Sequence, residues 1–273
     1  MLLRLRGTGG YKYMNRIEQV FHNKKAFIPF VTAGDPCIEI TEQLVLRMAE
    51  AGADLIELGI PFSDPVAEGP IIQEADYRAL AAGVTTDTIF TMVTSIRKVC
   101  NVPIAFMTYA NPIYTYGTER FMENCKAAGV DALIVPDVPF EEKEELKPYC
   151  DKNGITLISM IAPTSKERIH MITKEAEGFI YCVSSMGVTG IRSEISSNLE
   201  EMINLVKEIK KIPCAIGFGI STPEQASKMA AISDGVIVGS AIVKIVAQYG
   251  KDCVPYVENY VQSMKGACIA WQE

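Results

Sequence analysis

The stretch Asp54-Leu-Ile-Glu-Leu-Gly-Ile-Pro-Phe-Ser-Asp-Pro-Val-Ala-Glu-Gly-Pro70 sets how the rest of the chain is read. It opens as a short apolar strand with one acid, Glu57, set inside it. A strand that is apolar on both sides of the acid is of the kind covered on both faces, as in a parallel sheet between helices. An acid there must be paired, protonated, or placed at a strand end in a cleft. The strand stops at Gly59-Ile-Pro61, and the following loop carries Ser63, Asp64 and Glu68. Pro61, Pro65 and Pro70 stiffen that loop, because each fixes φ and restricts its predecessor. A rigid loop at a strand end, with acids on and beyond the strand, is a place for acid–base chemistry. The other reading is a salt-bridged strand end with an ordinary acidic loop.

Outward from this stretch the same unit recurs. Upstream, a helix over 15–22 precedes a strand over 26–32, which ends in Ala33-Gly-Asp-Pro36, and a helix over 41–51 stops at Gly52. Downstream, helical patterns over 74–82 and 86–99 are broken at Gly83. Strands follow over 103–108, 132–135, 156–161, 179–183, 214–217 and 235–238. Helices between and after them cover 119–128, 141–153, 166–176, 199–210, 223–231, 241–249 and 254–264. Strand–helix alternation repeated eight times means a parallel sheet covered by helices. Eight units in ~250 residues predict one α/β domain, a closed (β/α)8 TIM barrel over 14–273 with an extra N-terminal helix. The rival is a doubly wound open sheet. It wants a G-x-G-x-x-G after the first strand, which Gly34-Asp-Pro36 does not supply. Residues 1–13 are basic and glycine-rich without an apolar signal core, and are expected to be a flexible upstream extension.

Bulk properties narrow the function. The chain has 273 residues, 48% hydrophobic and 22% charged, enough to bury a full core. Its net charge of −7 argues against nucleic acid or an anionic membrane as the main partner. No apolar run reaches the roughly 18 residues of a membrane helix. Eight cysteines are spread with no C-x-x-C, so reduced, mostly buried thiols in a cytoplasmic protein are expected. His22 and His170, the two histidines, have no metal-ligand spacing.

In such a barrel the active site lies at the C-terminal strand ends. That places Phe30, Glu57, Tyr109, Asn111, Asp137, Tyr181, Thr189, Gly190, Gly219, Gly239 and Ser240 on one face. Each has a plainer reading: Phe30 and Tyr109 as core, Asp137 as a helix cap, Tyr181 as barrel filling. The late glycines in Gly217-Phe-Gly-Ile-Ser221 and Gly239-Ser240 let backbone N–H groups approach an anion, and the second pair opens a helix. The loops after strands seven and eight are the usual phosphate site of this fold. The polar segment from Ser184 through Thr189 to Asn198 is expected to be a loop able to close over a ligand.

Taken together, these residues resemble the α subunit of tryptophan synthase from about Met14 to near the C-terminus. The matching stretches are Phe30-Val-Thr-Ala-Gly-Asp-Pro36, Leu55-Ile-Glu-Leu-Gly-Ile-Pro-Phe-Ser-Asp-Pro65, Tyr109-Ala-Asn-Pro112, Pro136-Asp-Val-Pro139, Gly187-Val-Thr-Gly190, Gly217-Phe-Gly-Ile-Ser221 and Gly239-Ser240. The resemblance implies a lyase of tryptophan biosynthesis. It would split indole-3-glycerol phosphate into indole and glyceraldehyde 3-phosphate by a retro-aldol reaction. It implies no cofactor in this subunit. Indole would pass to a β subunit carrying pyridoxal phosphate, in an α2β2 complex contacted through the Asp64 loop and Asn111-Pro112.

By the same resemblance Glu57 is the proton donor, and Glu68 holds the indole N–H. Phe30, Tyr109, Asp137 and Tyr181 line the indole pocket, and Thr189 orients Glu57. Gly190, Gly219, Gly239 and Ser240 hold the phosphate. At position 68 the family pattern has Asp, so this chain reaches one methylene further. Two other readings are a different phosphate-binding barrel lyase or isomerase, and a regulatory subunit that mainly activates its β partner. Indole release separates them.

Overall fold

The computed structural model describes residues 4–7, 10–13, 15–183, 192–217 and 219–269. Short apolar runs bounded by Gly and Pro become parallel strands, each in register with the next. They run Ala26–Thr32, Ile56–Gly59, Ile104–Met107, Ala132–Ile134, Ile180–Val183, Cys214–Gly217 and Gly235–Val238. The fifth strand is split at Ile158 into Thr156–Leu157 and Ser159–Ile161. Its first piece pairs with Ala132–Ile134 and its second with Ile180–Val183. The two ends of the sheet are therefore consecutive pieces of one strand, and the sheet closes into a barrel.

Alternation along the strands sorts side chains into two layers. Phe27 and Val31 face outward, where Leu44, Met48, Val257 and Val261 of the surrounding helices cover them. Ile28, Phe30, Ala105, Met107, Tyr181 and Ile237 fill the interior. In the second strand Ile56 and Leu58 belong to the outer layer, so Glu57 between them points inward.

One barrel end is plugged. Asn15 and Glu18 form a capping box that starts the short helix Arg16–Val20. That helix places Ile17 and Val20 in the interior layer, and Phe21 against Phe179 at 5.2 Å. Phe179 and Gly235 stand at strand starts, so the plugged end is the N-terminal one. Asp54, at the same end, accepts from Phe27 N–H (2.8 Å), Lys24 (2.5 Å) and Lys265 (2.6 Å). It thereby ties the last helix, Val254–Ile269, to the barrel floor. The opposite mouth is left for a ligand.

Several expectations shift. A helix, Ala110–Tyr116, forms where Tyr109-Ala-Asn-Pro112 reads as a loop. Pro112 lies in its first turn, where a missing N–H costs little. The helix after the 184–191 segment begins at Arg192, so 193–198 are helical and not part of a long loop. Residues 4–7 and 10–13 pair as an antiparallel hairpin, separate from the barrel sheet. All eight cysteines are free, and six of them are buried. Among the described residues no single helix is long and apolar enough to cross a membrane.

Candidate active site

Glu57 sits in register between Phe30 of the first strand and Ala105 of the third. It is 1% exposed, and among the described residues neither carboxyl oxygen has a hydrogen-bond partner. Burial alone pushes it up to about 8. A carboxyl in that setting is neutral at pH 7 and holds a proton it can give.

It faces a cavity of about 340 Å3 at the barrel mouth. Phe30, Met107, Tyr181 and Ile237 make one side apolar and aromatic, while Gly219, Gly239 and Ser240 lie along the rim after strands seven and eight. Gly239 is the N-cap of the helix Ser240–Tyr249, whose first N–H groups have no partner within the helix. Gly219 has φ +72°, a conformation that suits glycine. One cavity therefore offers a slot for a flat ring, a neutral acid and an anion cradle.

Close packing fixes the two rings. A Cβ on Gly59 would lie 2.6 Å from Phe30 Cζ, and one on Gly217 would lie 2.5 Å from the Tyr181 hydroxyl. Gly217 is thus needed by the tyrosine ring. The anion reading of that loop rests on Gly219 instead.

The second acid comes from the loop. Glu68 is half-buried at the cavity wall, beside Pro70, which opens the helix Pro70–Ala81. Gln73 Nε2 donates to the Glu68 carbonyl at 2.8 Å. The Ala67 N–H donates to the Tyr109 hydroxyl at 3.1 Å. Burial first, then the charge of Asp76, pushes Glu68 well above the usual carboxylate range.

The sequence-predicted residues do not all meet. Phe30, Glu57, Glu68, Tyr181, Gly219, Gly239 and Ser240 line the one cavity. Tyr109 is 1% exposed and stands behind Ala67 and Glu68 as their support. Asp137 is exposed and opens on an adjoining cavity of about 480 Å3, which shares Ala67 and Met107 with the first. Its carboxyl accepts from Ala110 N–H, at 3.0 and 3.2 Å, holding the helix that follows Tyr109. Thr189 and Gly190 lie outside the described residues.

Sequence reasoning missed two groups. Lys244 lines the same cavity, four residues beyond Ser240 and so on the same helix face. Asp76 is 2% exposed and accepts from Thr32 Oγ1 at 3.3 Å; its spacing of four from Ile72 was the available signal for the buried face.

Comparison with known proteins follows the same lines. The family model described as tryptophan synthase alpha chain matches residues 17–268. The tryptophan synthase alpha chain of Lacticaseibacillus casei is 48% identical over 257 residues, 94% of this chain and 97% of that one. That of Caldanaerobacter subterraneus subsp. tengcongensis is 49% identical over 259 residues, 92% and 99% of the two chains. Among solved structures, tryptophan synthase subunit alpha from Legionella pneumophila superposes with a TM-score of 0.85 at 37% identity, over 93% of this chain and 98% of that one. A tryptophan synthase complex from Pyrococcus furiosus gives 0.80 at 36% identity, over 89% and 99%.

Proposed function

The chain belongs to the tryptophan synthase alpha chain family, a lyase acting on indole-3-glycerol phosphate, and we propose the following division of labour among its residues. The indole ring lies among Phe30, Met107 and Tyr181. The phosphate lies on the backbone N–H groups at Gly219, Gly239 and Ser240, favoured by the helix dipole. Thr189 is assigned to orienting Glu57 and Gly190 to the phosphate, as the family pattern implies.

Glu57 gives its proton to indole C3. C3 becomes tetrahedral and the ring nitrogen takes positive charge, which Glu68 stabilises as a carboxylate accepting the ring N–H. The glycerol hydroxyl then returns a proton to Glu57 as its oxygen forms the aldehyde C=O. The C3–C bond breaks, and its electron pair restores the aromatic ring. Glu57 ends as it began, and the scheme uses only acid–base chemistry in this chain.

The observation that carries this reading is Glu57 itself, a buried acid facing the cavity, pushed up by burial and without a hydrogen-bond partner among the described residues. The test is indole release from indole-3-glycerol phosphate, measured with and without a β subunit. Glu57→Gln is expected to abolish release while leaving the fold and phosphate-ligand binding intact; substantial remaining activity would sink the assignment.

The named Pyrococcus furiosus relative is a complex. A β partner holding pyridoxal phosphate, in an α2β2 assembly in the cytoplasm, fits this chain. Its contact would run over the loop around Asp64, where Val66 is 81% exposed, and over Asn111-Pro112.

A further inference from the structure

The helix Pro70–Ala81 begins just after Glu68, and Gln73 in its first turn holds that acid by its carbonyl. What holds the helix itself lies toward its other end. Arg78 donates from Nε and Nη2 to the two carboxyl oxygens of Asp35, at 2.9 and 2.8 Å. Asp35 is buried in the loop after the first strand. Two parallel bonds from a planar guanidinium fix angle as well as distance, which a single contact does not. Nearby on the helix, Asp76 accepts from Thr32 Oγ1 at 3.3 Å. Just past the helix, Val84 closes on Gly34, where a Cβ would lie 2.3 Å from Val84 Cγ2. The Gly34 N–H donates to Thr41 Oγ1 at 2.9 Å, so the loop that receives Arg78 is itself held.

Thr32 ends the strand that carries Phe30, and Gly34 and Asp35 follow it. Phe30 and Glu68 both wall the cavity. The helix is therefore an arm, fastened to the Phe30 strand through Asp76 and Arg78 and carrying Glu68 at its start. Arg78 stands about 12 Å along the axis from Pro70, at 1.5 Å per residue. A tilt of about 5° about that point moves the helix start by about 1 Å. Misplacement of about that size can cost ~10²-fold in rate.

We propose that Asp35 and Arg78 are positioning residues for the reaction, a clasp that sets where the Glu68 carboxyl stands relative to the Phe30 ring. This rests on Glu68 being the acid that faces the indole N–H. Among the described residues the clasp makes no hydrogen bond to Gly219, Gly239 or Ser240. It acts on the charge that Glu68 stabilises as the ring becomes cationic, and leaves phosphate binding alone.

The test uses the full chain and two readouts. Arg78→Met keeps an apolar stem and removes the fork. Its kcat is expected to fall about tenfold, with KM changed by less than about twofold. Glu68→Gln lowers kcat by itself, and adding Arg78→Met to it is expected to change kcat by less than about twofold, because the arm then positions nothing that reacts. A clasp that merely stabilised the fold would give the same loss in both backgrounds, and that result overturns the proposal. In hydrogen exchange, the Ala67 N–H bound to Tyr109 is expected to exchange about tenfold faster in Arg78→Met, while the Phe27 N–H bound to Asp54 at the barrel floor keeps its rate. Equal acceleration of both amides, or of neither, also overturns it. If Arg78→Met leaves Asp35 buried without its partner and does not fold, Asp35→Asn carries the same two measurements. A wild-type chain that releases no indole, or a Glu68→Gln variant with unchanged kcat, would instead refute the reading of the reaction, and the exchange rates would still decide whether the clasp holds the loop.

Discussion

The ring of Phe30 occupies the space that a side chain on Gly59 would need, with Cζ 2.6 Å and Cε2 2.8 Å from the position of a Cβ. Gly59→Ala therefore pushes the ring toward the cavity it lines. Overpacking of this kind costs about 1–3 kcal/mol. We expect a lower melting temperature and a loss of about tenfold in kcat/KM, because small misplacements at a reacting ring are expensive. Adding Phe30→Leu should recover the melting temperature without the activity. Thermal melts and steady-state kinetics on the two variants check this.

Glu57 also sets a pH dependence of stability. In the unfolded chain it ionises near its ordinary 4.5, whereas burial holds it to about 8 in the fold. Between those values the unfolded chain has released a proton that the fold retains. Stability from this group therefore falls as pH rises through the window, by about 1.4 kcal/mol per unit. Glu57→Gln removes that slope. The variant should match wild type near pH 4.5 and become progressively more stable up to pH 8. Urea melts across that range measure it, and a difference that does not change with pH would show that Glu57 is charged in the fold.

Glu68 lines the cavity, on a loop held by Gln73 at its own carbonyl and by Tyr109 at the neighbouring Ala67 N–H. With the loop fixed in this way, Glu68→Asp withdraws the carboxyl from the cavity by one methylene, although Asp is what the family pattern has there. We expect kcat to drop by about tenfold or more, with KM little changed. Equal or faster turnover would mean that the pocket has not adapted to the longer acid.

Lys244 stands one helical turn beyond Ser240, and helical side chains lean toward the N-terminus. Its ammonium therefore approaches the proposed phosphate cradle. Lys244→Met should raise KM about fivefold, since one exposed charge on a phosphate is worth about 1 kcal/mol, and leave kcat unchanged. The effect should shrink at high salt, which KM measurements at two ionic strengths would show.

Much of the fold was legible because its strands are short apolar runs with hard stops. Ala26–Thr32, Cys214–Gly217 and Gly235–Val238 stand where periodicity places them. The helix Ala110–Tyr116 was not legible, since Asn111-Pro112 reads as a turn and its N-terminus is held from a distance by Asp137. Glu57 was visible as an acid in an apolar strand. Asp76 was hidden, because a helix read as beginning at Glu74 leaves out Ile72 and the buried stripe it starts. Which strand-end residues share one cavity depends on register and loop path. Tyr109 and Asp137 could not be told from true cavity residues by position alone.

The split at Ile158 gives the barrel a seam. Thr156–Leu157 and the Ile158 N–H bond to one side and Ser159–Ile161 to the other, so two short ladders carry the closure. The same residues, 157–161, wall the adjoining cavity beside Asp137. Breathing of the barrel should start along this line and enlarge that cavity as it does. Amide exchange in strand five would then report on whatever fills the space, and a guest there would act as a rivet across the seam.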